Sequence, residues 1–296
     1  MRFPAALLDR TAVLMLGVAA GSAIGFSFVE RPAPAAAPEA ASPPALAAQP
    51  VAATSVAAAP APQQLRQTVK QGRPVRIAVF GDSFGEGVAW GLQQQLPRKA
   101  GYEVVEFAQP ATGFTRYRRL NLEEQAGEQL GEDAVDIAVI SFGANDAQGI
   151  VTDKGEYAPL MSDKWRDQIG SRIDRFVALV RAHQAEVYWV GLPRMRDAAL
   201  DGDVGAINRF YAERMATLGV PFIDTRPITS DAEGQYAAHL DDPATGERTL
   251  VRAGDGIHMS MTGYKWITRD LTERIRRSVE QARAANEAEA AVVARL

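Results

Sequence analysis

Two kinds of apolar patterning alternate along this chain from position 75 onward: short unbroken blocks, and stretches in which apolar residues recur every three or four positions. Val75-Arg76-Ile77-Ala78-Val79-Phe80 is a β-branched run ended by Gly81, and it reads as a parallel strand buried on both faces. Similar blocks at 104–107, 135–142, 187–192 and 220–224 predict four more strands. Between them, helices are predicted at 88–96, 121–130, 165–183 and 207–218, and a last one starts near Thr262. The 165–183 segment is the clearest, because Ile169, Ile173, Phe176, Val177 and Val180 share one helical face. Strands alternating with helices at this spacing predict an α/β chain with a three-layer, doubly wound, flavodoxin-like fold around a roughly five-stranded parallel sheet. Ligands of such sheets bind beyond the carboxyl ends of the strands. Ser83, in Gly81-Asp82-Ser83-Phe84-Gly85, is therefore predicted at the binding edge.

Two stretches break the rhythm. Residues 147–163 and 229–253 are long, polar and rich in Gly, Asp and Pro, and loops of that length in a compact domain are often functional. Both are expected to leave the sheet at the serine edge and to wall a substrate cleft. Asp82, Tyr157, Trp165, Arg194 and Met195 are the candidates to line it, with Arg196, Tyr236 and Asp241 near by.

The amino-terminal part has a different composition. Residues 11–29 carry no charge over 19 positions and follow Arg2 and Arg10, which predicts a membrane segment with its amino end inside and the bulk of the chain outside the cytoplasm. A long signal peptide cleaved near Ala35-Ala36-Ala37 is the alternative. Gly17, Gly21 and Gly25 have a spacing that allows weak dimerisation in lipid, or they reflect the small-residue content of apolar segments. From 31 to 64 there are eight prolines in an Ala-rich run, which predicts a linker. The expected organisation is an anchor or signal at 1–30, a linker at 31–70, a catalytic domain at 71–283 and a tail at 284–296. A net charge of −4 gives no basic excess for nucleic acid, and the absence of cysteine excludes disulfides and a thiolate zinc site.

The candidate chemistry rests on a serine that needs a base to become nucleophilic. Three histidines are present, and His258 follows Asp255 by three residues, so both side chains can lie on one side of a turn. His183 ends an amphipathic helix and His239 lies in a polar loop. Gly81-Asp82-Ser83, Gly113, Gly143-Ala144-Asn145-Asp146 and Asp255-Gly256-Ile257-His258 form an ordered set that resembles the blocks of SGNH (GDSL-type) hydrolases over roughly residues 75 to 270. The resemblance implies a Ser83–His258–Asp255 triad. It also implies an oxyanion hole made by the N–H groups of Ser83 and Gly113 and the Asn145 amide, with no cofactor and no metal. The second block departs from the family pattern: Gln109 to Thr112 holds no asparagine before Gly113.

The implied activity is that of a serine esterase or O-acyltransferase acting on short acyl groups of an envelope carbohydrate or small ester, and the set looks most similar to a bacterial envelope branch of that family whose function is undefined. A non-catalytic glycan-binding domain and a lipase or lysophospholipase are the alternatives. Gly81-Asp82-Ser83-Phe84-Gly85 also matches the G-x-S-x-G elbow of α/β-hydrolases, but there acid and histidine do not share one turn. No Gly-x-Gly-x-x-Gly or Walker pattern follows a strand, which argues against a nucleotide-binding domain.

Overall fold

In the computed structural model, which describes residues 62–131, 134–243 and 245–294, the chain enters with helix α1 (Gln63–Lys70) and strand β1 (Val75–Gly81). Then come α2 (Ser83–Gln95), β2 (Tyr102–Glu106), α3 (Leu122–Leu130) and β3 (Ile137–Ser141). A small hairpin follows, β4 (Ile150–Val151) with β5 (Tyr157–Ala158), before α4 (Asp163–Ala182), β6 (Glu186–Val190), α5 (Ala198–Leu218) and β7 (Phe222–Ile223). A second hairpin, β8 (His239–Asp241) with β9 (Arg248–Leu250), precedes α6 (Met261–Ile267) and α7 (Arg269–Val293). Thr268 separates the last two helices, which the sequence reads as one.

The main sheet has the order β2-β1-β3-β6-β7, and every pair in it is parallel. Alternate residues of each strand point to opposite faces. Ile77 and Val79 pack with Leu92, Ile267, Leu271 and Ile275 on one side. Ala78, Phe80, Ile140 and Trp189 pack with Ile169, Phe176 and Tyr211 on the other. This is the three-layer α/β arrangement that the apolar blocks predict. The strand order reverses between β1 and β3, so the crevice of the fold lies beyond their carboxyl ends. Gly81 pairs with Ser141 there, which puts the turn carrying Ser83 beside the turn carrying Asn145.

Three expectations about boundaries change. Residues 63–70, read as linker, form α1, where Leu65 and Thr68 are buried and Thr68 hydrogen-bonds the buried Asp136 at 2.6 Å. The proline-rich run ends at position 62, and the amphipathic stretch after it has a face to bury. Residues 284–293, read as tail, continue α7, and Asn286 Nδ2 donates to the Arg66 carbonyl at 2.9 Å. The polar stretches 147–163 and 229–253 each fold back as a two-stranded hairpin. The expected anchor, its glycines and residues 31–61 of the expected linker lie outside the described residues. Among the described residues, no helix is long and apolar enough to cross a membrane.

Candidate active site

Asp82 caps α2, its carboxylate accepting the Phe84 N–H at 2.9 Å, so Ser83 is the first residue of the helix and starts where N–H groups lack helical partners. The turn is tight enough to require glycine: a Cβ on Gly81 would lie 2.4 Å from the Ser141 carbonyl oxygen. Ser83 Oγ is 2.8 Å from His258 Nε2, and His258 Nδ1 is 2.6 Å from Asp255 Oδ2. Asp255 Oδ1 also accepts the N–H groups of Ile257 and His258 at 2.8 and 3.0 Å, which closes the turn that carries both side chains. Partial burial works against ionisation of Asp255, but these donors outweigh it and hold its pKa below the ordinary carboxylate value. The His258 side chain is 32 % exposed, open enough for a reactant to reach.

The neighbouring turn is closed. Asn145 Nδ2 donates to the Thr112 carbonyl at 2.9 Å and to Asp82 Oδ2 at 3.2 Å. Thr112 Oγ1 in turn donates to the Gln109 carbonyl at 2.6 Å, fixing the chain just before Gly113. A Cβ on Gly113 would stand 2.5 Å from Asp146 Oδ1, so that position too requires glycine. Asp146 is buried and accepts the Thr115 N–H, the Thr115 hydroxyl and the Tyr211 hydroxyl, each at 2.8 Å. Burial outweighs those donors and raises its pKa. Asp82 is pushed up to about 6, first by burial and then by the charge of Asp146, against the Phe84 N–H. Among the described residues neither the Ser83 nor the Gly113 N–H has a hydrogen-bond acceptor.

The predicted site residues therefore divide. Ser83, His258 and Asp255 are joined, and Asn145 and Gly113 stand beside them through Asp82, Thr112 and Asp146. Asp82 itself is 1 % exposed, so it orients Asn145 and the helix start and does not line a cleft. Trp165 is fully buried, its Nε1 donating to the Gln148 carbonyl at 2.9 Å and its ring packed against Phe210. Met195 is a core residue and Arg194 is paired with Asp201 at 2.9 Å. Tyr157 is 69 % exposed on the small hairpin and makes no hydrogen bond or ring contact with the triad among the described residues. The expectation that these four line the cleft is corrected for Trp165 and Met195, which the core buries, while Arg194 is held in its ion pair and Tyr157 faces solvent on the small hairpin. Sequence reasoning passed over Arg252, whose guanidinium binds the carbonyls of the His258 loop; in a stretch read as a polar loop, no pattern marks it as buried. The largest described cavity, about 700 Å³, is lined by Pro227, Asp231, His239, Arg248 and Trp266 among others, and by none of the triad. No group of three or more His, Asp or Glu among the described residues could hold a metal ion.

The doubly wound sheet carries this Ser, His, Asp and Asn set at its switch point, the arrangement that the resemblance to SGNH hydrolases implies. The chain belongs to the family described as "Protein of unknown function (DUF459)", which it matches over residues 76–274. It is similar in structure to a candidate acylhydrolase from Bacteroides fragilis, at 17 % identity over 73 % of this chain and 97 % of that one, with a TM-score of 0.49. It is also similar to a GDSL-like lipase from Bacteroides thetaiotaomicron, at 15 % identity over 74 % of this chain and 98 % of that one, with a TM-score of 0.47. A third such structure is a candidate SGNH hydrolase from Slackia heliotrinireducens, at 14 % identity over 68 % of this chain and 98 % of that one, TM-score 0.46. No curated protein matches the chain.

Proposed function

We propose that this protein is a serine esterase or O-acyltransferase that removes short O-acyl groups from a carbohydrate of the cell envelope, working outside the cytoplasm and tethered by residues 11–29. The observation that carries the chemistry is the unbroken chain from Ser83 Oγ to His258 Nε2 and from His258 Nδ1 to Asp255. His258 takes the serine proton as Oγ bonds to the ester carbon, and the resulting imidazolium faces the charged Asp255. Developing negative charge on the carbonyl oxygen meets the N–H groups of Ser83 and Gly113, neither of which has a competing acceptor among the described residues. Asn145 joins them by giving up its longer hydrogen bond, the one to Asp82. As the intermediate collapses, the alcohol leaves with the proton from His258, and water or a sugar hydroxyl then takes the acyl group from Ser83.

The carbohydrate reading is supported by the cavity beside the 229–253 stretch, whose walls carry Asp231, Glu233, Asp241 and Arg248 alongside Pro227, Ile228 and Leu240. Those four ionised groups offer hydrogen-bond partners to sugar hydroxyls. The test is a chain-length series of aryl esters on the purified full-length chain. Acetate or propionate should give the highest kcat/KM, with a decline beyond butyrate. A preference for octanoate would sink the carbohydrate reading and point to a lipase or lysophospholipase.

A further inference from the structure

In the turn that carries Asp255 and His258, the Gly256 and His258 carbonyls accept the backbone N–H groups of Arg196 and Ala253 at 3.0 Å each, and two arginine side chains bind the turn's carbonyls as well. From the solvent side, Arg196 donates to the Gly254 and Asp255 carbonyls, each at 3.0 Å. From the interior, Arg252 donates through Nη2 to the Ile257 carbonyl at 2.8 Å and through Nε to the His258 carbonyl at 3.3 Å. The Gly256 carbonyl lies 3.5 Å from the same Nη2, and Nη1 reaches the Arg194 carbonyl. Arg252 is 1 % exposed, and its guanidinium carbon stands 4.8 Å from the centre of the Tyr236 ring. Among the described residues, each hydrogen-bond acceptor of this buried cation is a backbone carbonyl.

That placement is costly. A buried guanidinium without a carboxylate in contact is compensated by the dipoles and the ring around it and, from further off, by Asp255 and Asp201, and an apolar side chain would fill the same space with less desolvation. Burial lowers its pKa, while Tyr236 and Asp255, which face it, oppose that effect. What arginine supplies and an apolar residue does not is a rigid planar fork of five N–H donors, able to fix several carbonyls at once. The carbonyls it fixes belong to residues 256–258, and its own backbone pairs with Met259, one residue past the histidine.

We propose that Arg252 is a positioning residue for the catalytic histidine. It pins the backbone of Gly256, Ile257 and His258 from within, so that the imidazole stays in line between Asp255 and Ser83. The assignment rests on the reading of Ser83 as the nucleophile, and the experiment separates the two. The full-length protein is treated with an aryl fluorophosphonate, and the rate at which Ser83 gains the phosphonyl group is followed by intact mass. In that step the serine oxygen bonds to phosphorus, fluoride leaves and His258 takes the proton. Arg252→Lys, which keeps the charge and loses the fork, should slow labelling about 10-fold, and Arg252→Met about 10²-fold, because small misplacements of a catalytic group carry penalties of that order. Free guanidinium at a sub-denaturing concentration should recover part of the rate in Arg252→Gly and none in wild type, a response that loss of packing alone would not give. Folded Arg252→Met that labels at the wild-type rate would overturn the proposal. Wild type that does not label at all would overturn the nucleophile instead. The proton NMR spectrum then decides for Arg252: the far-downfield signal of the proton between His258 and Asp255 should be present in wild type and lost or shifted in Arg252→Lys. An unchanged signal counts against the clamp.

Discussion

Ser83, His258 and Asp255 stay partly open to solvent, whereas the turn beside them holds two buried carboxyls, Asp82 and Asp146, behind a half-buried Asn145. The same residue type is pushed in opposite directions by the two regions. Asp255, wrapped by donors from His258 and Ile257, is held below the ordinary carboxylate pKa, while Asp82, sealed from water beside Asp146, is pushed up to about 6. Two carboxyls near one serine in the fold are thereby set to different tasks. Asp255 keeps its charge opposite the imidazole, and Asp82 sits nearer neutrality, where it orients Asn145 and caps α2. The contrast teaches that the mobile chemistry is assigned to the open limb and the fixed dipoles to the closed one.

The sharpest way to break this contrast is to remove one group from each limb and compare turnover of an aryl acetate. His258→Ala deletes the base and should cost about 10⁴-fold or more in kcat, while Asn145→Ala removes one donor of several and should cost about 10²–10³-fold. Equal losses would mean that the closed limb does more than stabilise an oxyanion. A loss for Asn145→Ala smaller than tenfold would mean that its bonds to Thr112 and Asp82 persist throughout the reaction.

A smaller effect sharpens the comparison through stability. Because the folded pKa of Asp82 is raised from 3.8 to about 6, its contribution favours the folded state fully below pH 3.8 and is lost as pH rises through about 6. The loss amounts to at most about 3 kcal/mol, the value of two pKa units for a fully buried group. Urea denaturation of wild type and Asp82→Asn from pH 4 to pH 8 checks the sign. The wild type should lose stability relative to the variant across that window, and parallel curves would show that Asp82 does not titrate there. Asp255 has the opposite sign, contributing stability that disappears as pH falls.

The sheet was legible because each apolar block ends at a glycine or polar turn, and the register of β1 with β3 follows from two blocks of similar make-up. The triad was legible because its residues lie in short contiguous motifs. The lining of the cleft was not. Trp165 at a helix start and Met195 just past a strand look like cleft candidates, but their large apolar area is claimed by the core, where Phe210 and Val204 pack with them. Arg252 shows the converse, a charged residue in a Gly- and Asp-rich segment whose burial depends on carbonyls supplied by a turn that only the folded chain brings near. Helix α1 was missed for a related reason: its apolar face has meaning only once α7 is there to cover it.

The central claim is that Ser83 is the nucleophile, and the hydrolysis of an aryl acetate by the purified protein beside its Ser83→Ala variant tests it most directly. The account predicts measurable wild-type turnover and a fall of about 10⁴-fold or more in the variant, with the helix content of the two unchanged. Ser83→Ala that hydrolysed the ester as fast as wild type would contradict it.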